Sequence, residues 1–527
     1  MHDLKDKIRN HNTTKKAKEG VSKVIFSRAM LIIAFLAFQI LFMAATITWF
    51  EQYQSQISVA NYILKACVVI YMINQPVNPS FKITWILLVM IFPLFGTVFY
   101  VFVQVNPGSR KVKKKLTGIQ NDVTTYLKQD RQVIADLRAN KPANANLARY
   151  LDRQVGYPVY RNTKATYFPF GEDKFLSLLE ELEKAEKFIF MEYFIIEEGY
   201  MWGEILEILK KKARAGVEVR VMYDGTCAIA KLPYNYPRKL QAMGIQAKMF
   251  NPMRPVLSTA QNNRDHRKIC VIDGKTAYTG GINLGDEYIN QRERYGVWKD
   301  TAVMLKGEAV SSFTVMFLKL WNVDLPYNED YSEYLSAKSH HLKRELGFTI
   351  PFGDSPFDEE NVGEEVYFHI LNHAKKYVHI MTPYLIIDSE MVATLQRAAK
   401  AGIEVIIIMP HIPDKKYVFW LAKSFYKELL DAGVRIYEYT PGFVHAKVFV
   451  SDDDTAVVGT INLDYRSLYL HFECGAFFYQ NTVVKDVEKD FQKTLRHAQE
   501  ITPEEVKKRP FRQRAVGEVL RLIGPLM

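Results

Sequence analysis

Cysteine is scarce in this 527-residue chain. Cys67, Cys227, Cys270 and Cys474 lie far apart, with no CxxC and no Cys/His cluster. That spacing argues against a zinc site, an iron–sulfur site and a disulfide scaffold. Net charge is also missing from most of the chain. The total is +11, yet residues 117–527 are neutral overall; the excess sits in residues 1–28 and 104–116, +5 in each. A groove that tracks nucleic acid needs clustered Lys and Arg, so the neutral stretch argues against a nuclease. The two basic clusters flank a hydrophobic region. They point to an anionic membrane surface, where each basic residue contributes about 1 kcal/mol. With 48% hydrophobic and 24% charged residues, the bulk of the chain is globular.

Two runs carry no charge at all: Ala29–Phe50, 22 residues, and Ile83–Val103, 21 residues interrupted only by Pro93. At 1.5 Å per residue each is long enough for a hydrocarbon core of about 30 Å. Ser58–Ile73 is apolar but short, with Lys65 in its middle. It stays open between a third span, an interfacial helix and a re-entrant piece. Both basic flanks prefer the cytoplasm, which favours an even number of crossings, two, with the catalytic part facing the cytoplasm.

After a basic, helical linker the chain repeats itself. Lys187–Ile196 and Lys376–Leu385 are continuous apolar runs, as expected of strands buried on both faces. Each is followed by a helical stretch ending in Ala-Gly, at Gly216 and Gly402, and then by Val217–Met222 or Ile403–Ile408, again strands. Strand–helix–strand–helix order implies a layered α/β domain used twice. The copies are offset by 179 to 189 residues, too long for a solenoid, so a site between the two copies is the natural expectation.

Each copy ends in the same chemistry. The first reads His266-Arg-Lys268 with Asp273 five residues on, then Gly280-Gly-Ile-Asn283. The second reads His445-Ala-Lys447 with Asp452, then Gly459-Thr460-Ile-Asn462. His and Lys at i and i+2 of a strand share a face, and Asp273-Gly274 is a hairpin signal. A single HxK is a core histidine beside a snorkelling lysine; the same spacing twice, at matching places in a repeat, is not coincidence. Two groups that titrate near neutrality, two ammoniums and two carboxamides suit an anionic phosphodiester. One imidazole attacks phosphorus and the other protonates the leaving alkoxide. Lys268, Lys447, Asn283 and Asn462 hold the non-bridging oxygens. Asp273 and Asp452 belong to the motif, with a structural role at the turn open beside a catalytic one. No carboxylate cluster for a metal is evident, so no metal and no cofactor are expected.

The paired HxKxxxxD motifs resemble those of the phospholipase D superfamily. The hydrophobic N-terminal region, Thr382-Pro-Tyr384, Gly459-Thr-Ile-Asn-Leu-Asp-Tyr-Arg-Ser467, His471-Phe-Glu473 and the ending Ile523-Gly-Pro-Leu-Met527 are more closely similar to bacterial cardiolipin synthases. Thr460 stands where that family usually has Ser. The resemblance implies a metal-free phosphatidyl transfer between two phosphatidylglycerols, releasing glycerol, through a phosphohistidine on His266 with His445 as acid and then base. A phospholipase D-type hydrolase is the alternative, a nuclease a more distant one. It also implies that Asp300 and Glu473, some 30 residues after each His, orient the histidines; as sequence alone, each is equally a surface acid. Glu192 and Asp224, at the ends of predicted strands, are either pocket-lining or loop acids. The partners implied are phosphatidylglycerol and membrane lipids, with no nucleic acid.

The expected fold is a duplicated phospholipase D-like α/β domain, each a mixed sheet flanked by helices, preceded by N-terminal transmembrane helices. The divisions are residues 1–28 (basic N-terminus), 29–103 (membrane region), 104–150 (linker), 151–325 (first domain) and 326–527 (second domain). The last ends in a stretch, Phe511 to Met527, that either lies on the membrane or packs against the domain.

Overall fold

The computed structural model describes residues 51–104, 112–119, 125–252, 262–325, 329–335, 347–358 and 360–526, with five single positions before residue 51. The chain forms two compact units that divide near residue 110. The expected span Ala29–Phe50 lies almost wholly outside the described residues.

In the N-terminal unit the apolar runs fold differently from expectation. The ambiguous stretch around Lys65 lies in a continuous 20-residue helix, Gln54–Ile73. Among the described residues this is the one helix long and apolar enough to cross a membrane. The uncharged run Ile83–Val103 is not one helix. It divides into Pro79–Ile91 and Pro93–Gln104. Phe92 leaves the helical region at φ −126°, ψ 80°, because the residue before a proline is pushed out of the α conformation. The chain then turns back on itself. Trp85 lies 5.6 Å from Phe99 and 5.4 Å from Tyr100, ring centre to ring centre, whereas 15 residues of straight helix would separate them by about 22 Å. A hairpin of 13- and 12-residue helices is too short in either arm for a 30 Å core. Absence of charge revealed apolarity, not straightness.

In the second unit the linker boundary also moves. Helix Pro142–Val155 runs through position 150 and ends on Gly156 in the left-handed conformation. Two mixed sheets follow. The first has the strand order Thr163–Phe168, Ala302–Gly307, Thr276–Gly280, Lys268–Ile272, Phe188–Tyr193, Glu218–Asp224, Gln246–Phe250. The second has Phe348–Asp354, Glu473–Tyr479, Thr455–Gly459, Val448–Ser451, Tyr377–Met381, Glu404–Pro410, Arg435–Tyr439, and Ala498–Glu500 added at the edge. Position by position the orders correspond. In each, three parallel strands join antiparallel ones at the strand that follows the HxK histidine. The strands at the centre are buried along their whole length, which is why they read as unbroken apolar runs. Gly216 and Gly402 end their helices at φ 89° and 90°, a conformation that costs a side-chain-bearing residue more.

Each half also lends a helix to the other. Val310–Trp321, buried at every position but Ser311 and Lys319, follows the first sheet and reaches strand Phe348–Asp354 of the second. Val483–Leu495 follows the second sheet and reaches Thr163–Phe168 of the first. There Tyr167 donates to Asp490 at 2.7 Å and Lys299 bonds the same carboxylate oxygen at 2.7 Å. The C-terminal helix Phe511–Ile523 packs on Lys416–Ala422 and is tied down by Arg521 to Glu428 at 2.5 Å. Phe511, Val519 and Ile523 remain exposed on it.

Candidate active site

Each HxK motif enters its strand beside a segment of the other half. The His266 N–H donates to the Phe472 carbonyl at 2.9 Å, and the Phe472 N–H to the Arg264 carbonyl at 2.8 Å. In the other half Gly442–Val444 pairs in parallel with Val297–Lys299, and the His445 N–H donates to the Lys299 carbonyl at 2.7 Å. Two residues on from Trp298 stands Asp300; one on from Phe472 stands Glu473. The backbone pairing therefore delivers each acid to the histidine of the opposite motif.

The side chains meet as that pairing requires. His266 Nδ1 lies 2.8 and 3.0 Å from the two oxygens of Glu473. His445 Nδ1 lies 2.6 Å from Asp300 Oδ2. All four are buried, the acids completely. Neither acid is the surface group that sequence left open. An ionised carboxylate only accepts, so each imidazole donates its Nδ1–H and keeps the lone pair on Nε2. Burial pushes His266 down to about 3, with Glu473 offsetting only part of it; burial and the neighbouring Lys447 push His445 down to about 4. Burial works against a charged Glu473 as well, but His266 beside it outweighs that and holds the carboxyl well below its ordinary range. The site thus holds neutral imidazoles, that of His266 on an ionised Glu473.

The two halves solve the same problem with different side chains. A Cβ on Gly281 would lie 2.0 Å from Asp300 Oδ1, so that position must be bare for the short acid to fit. At the matching place Thr460 donates its hydroxyl to the longer Glu473 and accepts the Cys474 N–H at 3.0 Å. The hydroxyl that Thr460 keeps in place of the family's usual Ser holds Glu473.

The lysines are also buried. Lys268 Nζ donates to the His266 carbonyl at 2.5 Å, and Lys447 to the His445 carbonyl. Burial pushes them down to about 8 and about 7. Each interacts electrostatically with Asp300 and Glu473 together, which places both motifs in one site. Asn283 accepts the Ile195 N–H at 3.0 Å and donates to the Tyr288 hydroxyl at 2.9 Å. Asn462 is buried with its carbonyl oxygen unpaired.

Asp273 and Asp452, expected within the catalytic motif, stand elsewhere. The strand that begins with Lys268 or just after Lys447 lies between each Asp and its His. Asp273 accepts the N–H groups of Glu186, Lys187 and Phe188 at 2.7–2.9 Å. Asp452 accepts those of Lys375, Lys376 and Tyr377 at 2.7–3.1 Å. Both sit at φ 54° in the hairpin turn, so each carboxylate fastens a turn to the start of the neighbouring strand. Asp273→Ala is therefore expected to lower the melting temperature, since hydrogen bonds to a charged group contribute roughly 1.5–3 kcal/mol. The fraction that stays folded should retain its turnover; loss of turnover at unchanged stability would return Asp273 to the chemistry.

Glu192 and Asp224 are buried at the ends of their strands, not exposed loop acids. Arg267 Nε donates to Glu192 at 2.5 Å. Asp224 accepts the Asp265 N–H at 3.0 Å, bracing the segment that leads into His266, and burial pushes it up to about 6. Sequence reasoning gave no role to His471, whose ring centre lies 5.5 Å from that of His266, nor to Trp298, 5.2 Å from His445. The signal was present: each ring stands two residues before an acid. Among the described residues, His266, His471 and Glu473 also form a group with spacing suited to a metal ion, though the His266–Glu473 bond already engages two of its ligand atoms.

Comparison with known proteins places these features. The family described as "Cardiolipin synthase, PLD-like domain" matches residues 178–321 and 367–495, the two copies. "Phospholipase_D-nuclease N-terminal" matches residues 66–104. An uncharacterized protein of Streptococcus mutans is 51% identical over 461 residues, 87% of this chain and 99% of its own. A cardiolipin synthase of Geobacillus kaustophilus is 35% identical over 85% of this chain and 89% of its own. Cardiolipin synthase 2 of Bacillus anthracis is 35% identical over 87% and 89%. Among solved structures, a phosphatidylserine synthase of Haemophilus influenzae superposes with TM-score 0.55 at 16% identity, over 74% of this chain and 100% of its own, a likeness of fold.

Proposed function

This chain belongs to the cardiolipin synthase family of the phospholipase D superfamily, and on that footing we propose that it transfers a phosphatidyl group from one phosphatidylglycerol to another. The observation that carries the reading is the crossed pair of histidine–carboxylate bonds, His266–Glu473 and His445–Asp300. Each leaves an Nε2 lone pair, and each histidine interacts electrostatically with the buried lysine of its own motif.

The reaction has two steps. His266 Nε2 attacks phosphorus, the bond from phosphorus to the glycerol headgroup oxygen breaks, and His445 gives that oxygen a proton. Glycerol leaves and the phosphatidyl group remains on His266. A hydroxyl of the second phosphatidylglycerol then gives its proton to His445 and attacks phosphorus, the phosphorus–nitrogen bond breaks, and cardiolipin forms. Neutral His266 is ready to attack. His445 needs a proton first, and the bound phosphodiester supplies the negative charge that favours one. Lys268 and Lys447 stabilise the charge that builds on the non-bridging oxygens. Asn462, with its unpaired carbonyl, is freer to reorient toward substrate than Asn283.

The test is incubation of the purified protein with phosphatidylglycerol in EDTA, scoring cardiolipin, glycerol and phosphatidic acid. Cardiolipin and glycerol in equal amounts are expected. Phosphatidic acid alone would make the protein a hydrolase, and loss of turnover restored by a divalent ion would overturn the metal-free route.

For the membrane we propose that the two crossings are Ala29–Phe50 and Gln54–Ile73, with the helical hairpin after them held within one leaflet. Both basic flanks then face the cytoplasm, together with the catalytic unit. Cysteine labelling checks this: with Cys67→Ser as background, Lys400→Cys should react with an impermeant maleimide only after cells are opened. Labelling in intact cells would reverse the orientation.

A further inference from the structure

Each histidine has a ring neighbour that the reaction above does not use. Trp298 and Asp300 are separated by one residue, as are His471 and Glu473, and both rings are buried. The backbone around them is committed. The Trp298 N–H and carbonyl both bond Asn290, and Phe472 bonds Arg264 and His266. The ring nitrogens are not. The Trp298 indole Nε1 and both nitrogens of His471 make no hydrogen bond within the protein. His471 Nδ1 is 3.8 Å from Glu473, beyond hydrogen-bond reach, and that acid is already held by His266 and Thr460. Buried polar groups are almost always paired. Two rings with unpaired nitrogens, each two residues before an acid and against a site histidine, point to a ligand that pairs them.

The in-line geometry of phosphoryl transfer separates what the two rings meet. With His266 attacking, the departing glycerol lies opposite it, toward His445 and therefore toward Trp298. The phosphatidyl group stays bonded to His266, whose ring neighbour is His471. We propose that the rings divide the substrate between them: Trp298 donates to a hydroxyl of the glycerol that leaves and of the glycerol that enters, and His471 bonds an oxygen of the phosphatidyl group that is retained. Indole only donates and never titrates, whereas imidazole both donates and accepts. Trp298 is thus the residue that favours a glycerol hydroxyl over water as acceptor. This rests on the assignment of His266 as nucleophile in the proposed function.

Trp298→Phe and His471→Phe keep a ring and remove its nitrogens. Both would be assayed on phosphatidylglycerol and on a p-nitrophenyl phosphodiester lipid, whose leaving group has no glycerol hydroxyl. One hydrogen bond corresponds to about 10-fold. Trp298→Phe should lose about 10-fold more on phosphatidylglycerol than on the p-nitrophenyl lipid, and its ratio of cardiolipin to phosphatidic acid should fall by a similar factor. His471→Phe should lose about 10-fold on both substrates alike, with the product ratio kept, and His471→Gln should recover part of the loss. Equal losses on both substrates for Trp298→Phe, with an unchanged product ratio, would overturn its role. A lower melting temperature for His471→Phe with no recovery in His471→Gln would make that ring packing alone. If wild-type protein makes no cardiolipin, the proposed function fails, yet the His471 comparison on the p-nitrophenyl lipid still decides that residue.

Discussion

His266→Ala is expected to abolish turnover, by about 10⁵–10⁶-fold, the scale seen when a covalent nucleophile is removed. It should also leave no phosphatidyl group trapped on the protein after an acid quench. The reason lies in the pair, not in the imidazole alone. Glu473 faces Nδ1 with both oxygens and is itself fixed by Thr460, so the lone pair is held on Nε2 and aimed. Burial keeps the ring unprotonated, down to about 3, and an unprotonated ring is what can attack. Glu473→Gln should therefore act in the same direction more weakly, by about 10⁴-fold, because the carboxamide lets the wrong tautomer form. Radiolabelled phosphatidylglycerol with a rapid quench checks both. A labelled phosphoenzyme in His266→Ala would place the nucleophile elsewhere.

The residues proposed to carry this chemistry were legible in sequence because their signal is local. A histidine and a lysine two apart, an apolar strand and a turn recur after 179 residues, and that recurrence survives without any knowledge of tertiary contacts. The apolar runs at Phe188–Tyr193 and Tyr377–Met381 were legible for the same reason, since strands buried on both faces have no alternation to misread. The crossing of the acids was not legible. Glu473 follows His445 and Asp300 follows His266 along the chain, so proximity in sequence pairs each acid with the wrong histidine. The correct partners are 207 and 145 residues apart and meet only because strand segments of the two halves pair. Asp273 and Asp452 recur with the motif as well, but what the sequence could not show is that each carboxylate holds three N–H groups at the start of the neighbouring strand. In the N-terminal unit Lys65 hid a long helix, and an uncharged run hid the break at Pro93.

His445→Ala should slow turnover on phosphatidylglycerol by roughly 10²–10⁴-fold, the range for losing a general acid, and the loss should shrink on the p-nitrophenyl lipid. Glycerol leaves as a poor alkoxide and needs the proton; p-nitrophenolate does not. The phosphatidyl group should still form on His266, and because the same His445 must then activate the incoming hydroxyl, it should persist longer than in the wild type. Accumulation of the intermediate from the activated lipid is thus the distinguishing sign. Asp300→Asn should follow in a milder form, since Asp300 at 2.6 Å fixes the ring that moves the proton. The pH profile gives an independent check. Burial pushes Lys447 and Lys268 down to about 7 and about 8, so kcat/KM, which reports the free enzyme, should fall as pH rises through that window. His445→Ala keeps both lysines and should keep that alkaline fall; a profile that goes flat would assign it to His445 instead. If His445→Ala traps no intermediate while His266→Ala does, the two roles are exchanged, and if both variants remain active the paired-histidine mechanism is wrong.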